Sequence, residues 1–210
     1  WRRYARALKQ RNALLKAGGA AGQLDAWDHE LADAGEHLTR HRERYLTDLA
    51  PQAVASAARL TDGLQLQGLE LQPGWRRQEL SLADALLLGR ERDRMTGHTG
   101  VGPHRADWSL QLAGLPGREA LSRGQTKLTA LSLLLSQAAD YAGRRGHWPI
   151  IALDDLPSEL DRDHQRRTLD FLLAQPGLQL FITATETPAA LQERALEYRL
   201  FHVEQGRITG

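Results

Sequence analysis

Apolar residues recur at alternating spacings of three and four from Leu24 to Leu49, through Trp27, Leu31, Ala34, Leu38, His41 and Tyr45, with charged residues between them. Such a heptad seam predicts a helix packed along one face. Ahead of it, Tyr4, Leu8 and Leu15 stand among good helix formers over residues 1–17, and Gly18-Gly19-Ala20-Ala21-Gly22 must end that helix. Two helices joined by a Gly-rich turn make an antiparallel hairpin. Pro51 lacks a helix donor, so a kink or fresh start is expected there, with a second piece to Leu60 that ends at Asp62-Gly63. The domain boundary is placed at Gly63, giving an all-α arm (1–62) and a second domain (63–210).

The period changes beyond Gly63. Leu64 to Leu71 approximates period two, with an irregularity at Gly68, and Pro73-Gly74 turns the chain. Ser81 with Asp84 opens a helix that buries Leu82, Ala85, Leu86 and Leu88 and frays over Arg90 to Arg94. Thr96 to Arg105, with three glycines and Pro103, reads as a loop leading into a strand from Ala106 to Leu112. A long helix follows Ser122, a buried strand runs from Pro149 into Asp154, and a helix spans Arg162 to Ala174. Leu178 to Thr183 is a second buried strand, Pro188 opens a helix as its first residue, and Arg199 to Val203 is a last strand before a turn at Gln205-Gly206. Strands alternating with helices predict an α/β domain with a largely parallel sheet covered by helices.

Composition narrows the class. Zero cysteines exclude disulfides and thiolate metal sites. No apolar run approaches the roughly 20 residues of a membrane span, so a soluble chain is expected. Residue 1 is Trp, as expected of a chain cut from a longer one. A net charge of +1 does not by itself announce nucleic acid. Of 27 basic residues only Lys9, Lys16 and Lys127 are lysines, and arginines cluster at Arg2-Arg3-Arg6, Arg40-Arg42-Arg44, Arg90-Arg92-Arg94 and Arg144-Arg145. Arginine forks suit phosphate, although helix faces interleaved with acids explain such clusters equally well.

Chemistry concentrates between Leu121 and Asp161. Ser122 three residues before Gln125 has the form of a capping box, which needs no function beyond starting a helix. Gly124 in the first turn weakens that helix, yet it exposes backbone N–H groups to an anion at the positive end of the helix dipole. Asp154 and Asp155 end an apolar strand, where open α/β sheets place ligands, and two adjacent carboxylates repel unless a cation or proton intervenes. Hard oxygen ligands there suit Mg²⁺, or the pair caps the next turn. Asp161, just before a helical run, also reads as its N-cap. His98 and His104 are candidate ligands or acids, or turn residues.

Leu121-Ser122-Arg123-Gly124-Gln125 resembles the signature motif of the ABC ATPase superfamily, the run into Asp154-Asp155 resembles its Walker B motif, and Ser158 to Asp161 resembles its D-loop. Within that superfamily, Gly102-Pro103-His104-Arg105-Ala106-Asp107, the signature continued by Thr126-Lys127, Ser158-Glu159-Leu160-Asp161 and Phe181-Ile182-Thr183 resemble the RecF family of SMC-like bacterial recombination mediators. The resemblance covers roughly the whole chain as the C-terminal part of such a protein: the arm, then the C-terminal half of an ABC-type ATPase head. It implies an ATP-dependent DNA-binding protein of DNA replication, recombination and the SOS response. Such a protein dimerises on nucleotide, engages gapped or junction DNA, works with RecO and RecR to load recombinase, and sits in the bacterial cytoplasm with the nucleoid.

By position, the resemblance gives Asp154 to Mg²⁺ and places Asp155, as a shorter base for water, where most of these ATPases have a catalytic Glu, which implies slow turnover. Ser122, Arg123, Gly124 and Gln125 would contact ATP held by a second copy, and Asp161 would lie at the dimer seam. The switch position, usually His, falls on Thr185, with Thr183 an equal register. Gly-x-x-x-x-Gly-Lys-Ser/Thr does not occur in these 210 residues, so the chain alone is expected to lack useful ATP affinity and hydrolysis. Two competing readings are a non-catalytic interaction module with an inert acid pair, and another ABC or SMC-like ATPase.

Overall fold

The structure is a computed structural model and describes residues 1–63, 65–114, 121–193 and 197–209. Two helices, α1 (Arg2–Lys16) and α2 (Ala21–Leu60), form the expected hairpin. Tyr4, Ala7, Leu31, Ala32 and Ala34 are buried between them. The seam holds as far as Leu38. His41 and Tyr45 are exposed, because α1 begins at Arg2 and covers α2 no further along.

Pro51 does not break α2, which runs 40 residues, about 60 Å at 1.5 Å per residue. A proline inside a helix forfeits one hydrogen bond and costs about 3 kcal/mol. Burial on both sides outweighs that: Leu49, Ala53, Ala57 and Leu60 are all within 2% of full burial. Ala53 and Ala57 face the long helix α4 (Arg123–Arg145), whose Ser132 and Ser136 are fully buried. Their hydroxyls donate to the carbonyls of Leu128 and Ser132, and Ser136 also donates to Gln52 O at 3.3 Å. Small side chains with internally satisfied hydroxyls let the two helices approach closely.

The strand expected from Leu64 is β1 (Leu66–Gln72); Leu64 lies outside the described residues. It pairs antiparallel with β2 (Asp107–Leu112), and the register shifts between Leu66 and Gly68 as the glycine suggested. Between them, α3 (Leu82–Thr96) starts at Ser81, whose side chain accepts from the Asp84 N–H. It does not fray over Arg90 to Arg94. Arg90 is tied to Asp25 and Asp28, Asp93 is buried, and Gly97 closes the helix in the left-handed conformation at φ 71°.

Helix α3 belongs with the arm by packing. Leu82 and Leu86 join the cluster of Tyr4 and Leu31. Gly35 makes that contact possible, since a Cβ there would stand 2.4 Å from the Leu82 side chain. An ion-pair network then locks three helices together. Arg11 is fully buried, with Nε donating to Asp28 at 2.5 Å and Nη1 to Asp93 at 2.6 Å and to the Thr99 hydroxyl at 2.8 Å. Sequence reasoning missed it, although Arg11 stands on the seam of Tyr4, Leu8 and Leu15, where a charged residue is a signal of buried pairing.

The remaining strands are shorter and more open than expected. β3 (Ile151–Leu153) pairs parallel with β4 (Leu180–Ile182). Among the described residues only one face of this pair is covered, by Leu172 and Phe171 of α6 (Arg162–Leu173) and by α4. Ala152 and Phe181 on the other face are exposed, so neither strand is fully buried. A short α5 (Leu156–Glu159) follows β3, and Pro188 is the N-cap of α7 (Ala189–Gln192) rather than its first residue. The last strand begins at His202, not Arg199: β5 (His202–Glu204) and an unexpected β6 (Arg207–Thr209) form a hairpin about Gln205-Gly206. Both turn residues have positive φ, which suits a two-residue hairpin.

Candidate nucleotide-interface site

The tip of α4 is built by the capping box. Ser122 Oγ accepts from the Gln125 N–H at 3.2 Å, and Gln125 Oε1 accepts from the Ser122 N–H at 2.9 Å. The N–H groups of Arg123 and Gly124 lie in the first turn, where a helix offers no acceptor. Ser122, Arg123 and Gly124 are exposed, and a Cβ on Gly124 would meet nothing within 4 Å. Among the described residues neither backbone strain nor crowding calls for a glycine there. Gln125 Nε2 reaches Gly63 O at 3.4 Å, so the tip leans on the end of α2.

The acid pair stands where β3 ends. Asp154 is exposed and Asp155 half-buried, and Asp155 takes the left-handed conformation at φ 47° and ψ 46° as the N-cap of α5. Thr183, at the end of β4, comes between them. Its hydroxyl donates to Asp154 Oδ1 and accepts from the Asp155 N–H at 2.9 Å. The parallel pairing of Leu153 with Ile182 sets this register. Thr185 lies two residues further on and is exposed. Asp154 with the Thr183 hydroxyl is a hard oxygen donor set that fits Mg²⁺ in kind.

Asp161 caps α6, accepting from the His164 N–H at 3.0 Å and lying 2.8 Å from His164 Nδ1. The N–H and the ring hold its carboxyl below the usual carboxylate range. Lys127 meets Glu159 at 2.6 Å, which joins the second turn of α4 to α5 and so brings the signature-like and D-loop-like segments together in one copy. Arg167 makes a two-pronged pair with Asp62, at 3.0 and 2.5 Å, anchoring α6 to the end of α2.

The two loop histidines serve the fold. His98 Nδ1 lies 3.0 Å from Thr96 O in the turn after α3. His104 Nε2 donates to Thr99 O at 3.0 Å, which leaves Nδ1 to accept from the Tyr4 hydroxyl at 2.7 Å. Burial lowers the His104 pKa and raises that of Tyr4, so both stay neutral. Gly102, at φ 122°, lets this loop pass the Tyr4 ring, because a Cβ there would stand 2.7 Å from its hydroxyl.

No protein-family model matches the chain. The DNA replication and repair protein RecF of Stenotrophomonas maltophilia (strain R551-3) is 65% identical over 208 residues, which cover 99% of this chain and 57% of that protein. Along nearly its whole length the chain is similar to RecF proteins. It spans a little over half the length of the curated RecF relatives it matches. A solved structure of the recombination mediator RecF with ATP aligns at a TM-score of 0.72 and 26% identity, over 88% of this chain and 52% of that one. A second RecF structure, with an ATP analogue, aligns at 0.80 and 24% identity over 98% and 56%, a likeness of fold. The fold is thus that of the RecF structures over the span they share. Among the described residues no helix is long and apolar enough to cross a membrane.

Proposed function

We propose that this chain is the part of a RecF-type DNA-repair ATPase that completes a nucleotide site across a dimer. The tip of α4 in one copy and the acid pair in another close around the same ATP, whose phosphates are cradled by a segment outside these 210 residues. Gly124 carries this reading. It is exposed, crowded by nothing among the described residues, and set in a first turn that presents free N–H groups. A residue that costs helix stability and helps nothing internal is explained by an anion arriving from outside.

In this arrangement Asp154 holds Mg²⁺, with Thr183 orienting its carboxylate. Mg²⁺ would neutralise charge on the transferring phosphate, while Asp155 positions water. Ser122, Arg123 and Gln125 contact the γ-phosphate region, and Asp161 stands at the seam between copies. Hydrolysis is slow, because an aspartate reaches less far than a glutamate. Dimerisation on nucleotide clamps gapped or junction DNA, and RecO and RecR are the partners with which such a protein loads recombinase, in the cytoplasm at the nucleoid.

The test is Ser122→Arg in the full-length protein, which places a bulky cation in the tip. Equilibrium sedimentation with a slowly hydrolysed ATP analogue should show loss of the nucleotide-dependent dimer while nucleotide binding to each copy persists. A variant that dimerises on nucleotide as well as the parent would overturn the trans arrangement.

A further inference from the structure

The outer face of α1 carries charge that the fold leaves unused. Positions 2, 6, 9, 13 and 16 share one stripe, opposite the buried Tyr4, Ala7, Arg11 and Leu15. Four of the five are Arg2, Arg6, Lys9 and Lys16, all exposed, and α1 contains no acidic residue. Arg3 is spoken for by Glu30 and Asp33, and Arg11 by Asp28 and Asp93. Among the described residues the four stripe residues enter no ion pair, and the α2 acids facing α1 are already engaged. The charged side chains of the stripe itself are therefore all positive.

This arrangement works against the helix. Arg2 and Arg6 repel at i,i+4 and Arg6 and Lys9 at i,i+3, while arginines in the first turn oppose the dipole. Beside the stripe, a groove of about 570 Å³ opens between α1 and α2. Arg2, Arg3 and Arg6 line it together with Glu30, which is paired with Arg3, and the half-buried Trp27 is on its wall.

We propose that this face of the arm binds the phosphodiester backbone of DNA, with Trp27 offering its ring to a sugar or base. The proposal rests on the DNA-binding reading above and assigns it a surface. Arg2 to Lys16 span about 21 Å along a rigid helix, the length of about six nucleotide steps. Arginine forks match phosphate oxygens, and an aromatic face beside them suits a nucleotide better than an acidic peptide.

The experiment is fluorescence anisotropy of the full-length protein with duplex and with single-stranded oligonucleotides over a range of salt. The parent is compared with Arg2→Gln/Arg6→Gln/Lys9→Gln and with a control, Arg199→Gln/Arg207→Gln. Removing three phosphate contacts should lower the slope of log affinity against log salt by about 2–3 and weaken binding about tenfold at moderate salt. The control should match the parent, and thermal unfolding should show the triple variant folded. If the parent binds DNA and the triple variant keeps its slope and affinity, the stripe is overturned while the DNA-binding reading stands. A parent that does not bind DNA removes both. Loss of binding to polyglutamate with DNA binding intact overturns the DNA assignment in favour of an acidic protein surface.

Discussion

Thr183 and Asp154 are joined across the parallel strands β3 and β4, the threonine hydroxyl donating to the carboxylate while it accepts from the N–H of Asp155. One hydroxyl thus spans both acids. It orients the first carboxylate toward solvent and satisfies the backbone of a residue held in the left-handed conformation.

Thr183→Val keeps the shape and removes the hydroxyl, which leaves the Asp155 N–H without its acceptor. A loss of about 0.5–1 kcal/mol is expected, the net worth of a hydrogen bond whose donor water can still reach. Thr185→Val should change stability by less than about 0.5 kcal/mol, as exposed substitutions away from such contacts do. Thermal unfolding of the two variants, side by side, checks which threonine is coupled to the acids. Equal effects would break the register argued here.

Asp155 tolerates its conformation because Asp and Asn adopt positive φ more readily than other side chains. Asp155→Asn should therefore keep the fold within about 0.5 kcal/mol, whereas Asp155→Val should lose about 1–2 kcal/mol. Asp155→Glu sets two effects against each other. The backbone is less content, yet a longer carboxylate reaches water better, so single-turnover ATP hydrolysis by the full-length protein should rise sharply while its melting temperature falls. Unchanged hydrolysis would argue that Asp155 does not position the water.

Arg11 is the tie among α1, α2 and α3. Removing one partner of a buried ion pair leaves the others uncompensated, at about 3–5 kcal/mol. Arg11→Met should therefore destabilise strongly, since the buried Asp93 would lose its cation while Asp28 would keep only Arg90. Adding Asp93→Asn to Arg11→Met should recover part of the loss, measurable as a coupling in a double-mutant cycle of unfolding free energies. Strict additivity would mean that Arg11 acts through packing alone.

How far the sequence could be read follows the same physics. The capping box at Ser122, the irregularity at Gly68 and the cap at Asp161 were legible because each depends on residues within a few positions. The exposure of the acid pair followed from its place at a strand end. Other features depend on contacts distant in sequence. Continuity through Pro51 needs the face of α4, and the contact of Thr183 with the acid pair needs the pairing of Leu153 with Ile182. The role of Arg11 needs Asp93, 82 residues away. Periodicity counts a charged residue on a seam as a gap, and here the gap is the strongest anchor of the arm.

His104 gives that anchor a pH dependence. Its ring is held between Tyr4 and the Thr99 carbonyl, with Arg11, Arg105 and Asp93 the charged groups around it. Burial lowers its pKa below the ordinary value, with Arg105 and Arg11 adding to the shift and the Thr99 carbonyl and Asp93 opposing it. The unfolded chain, at about 6.5, then binds a proton more readily than the folded one. Stability from this group is fully present above pH of about 6.5 and is lost as pH falls from there through the folded value. His104→Gln retains a donor for Thr99 without titrating. The parent should lose more stability than the variant between pH 8 and pH 5.5, although the parent is the more stable at pH 8. Other histidines and carboxylates titrate in both proteins and cancel in the difference. A gap between parent and variant that stays constant over this range, or widens toward acid, would mean that His104 is as readily protonated in the fold as outside it.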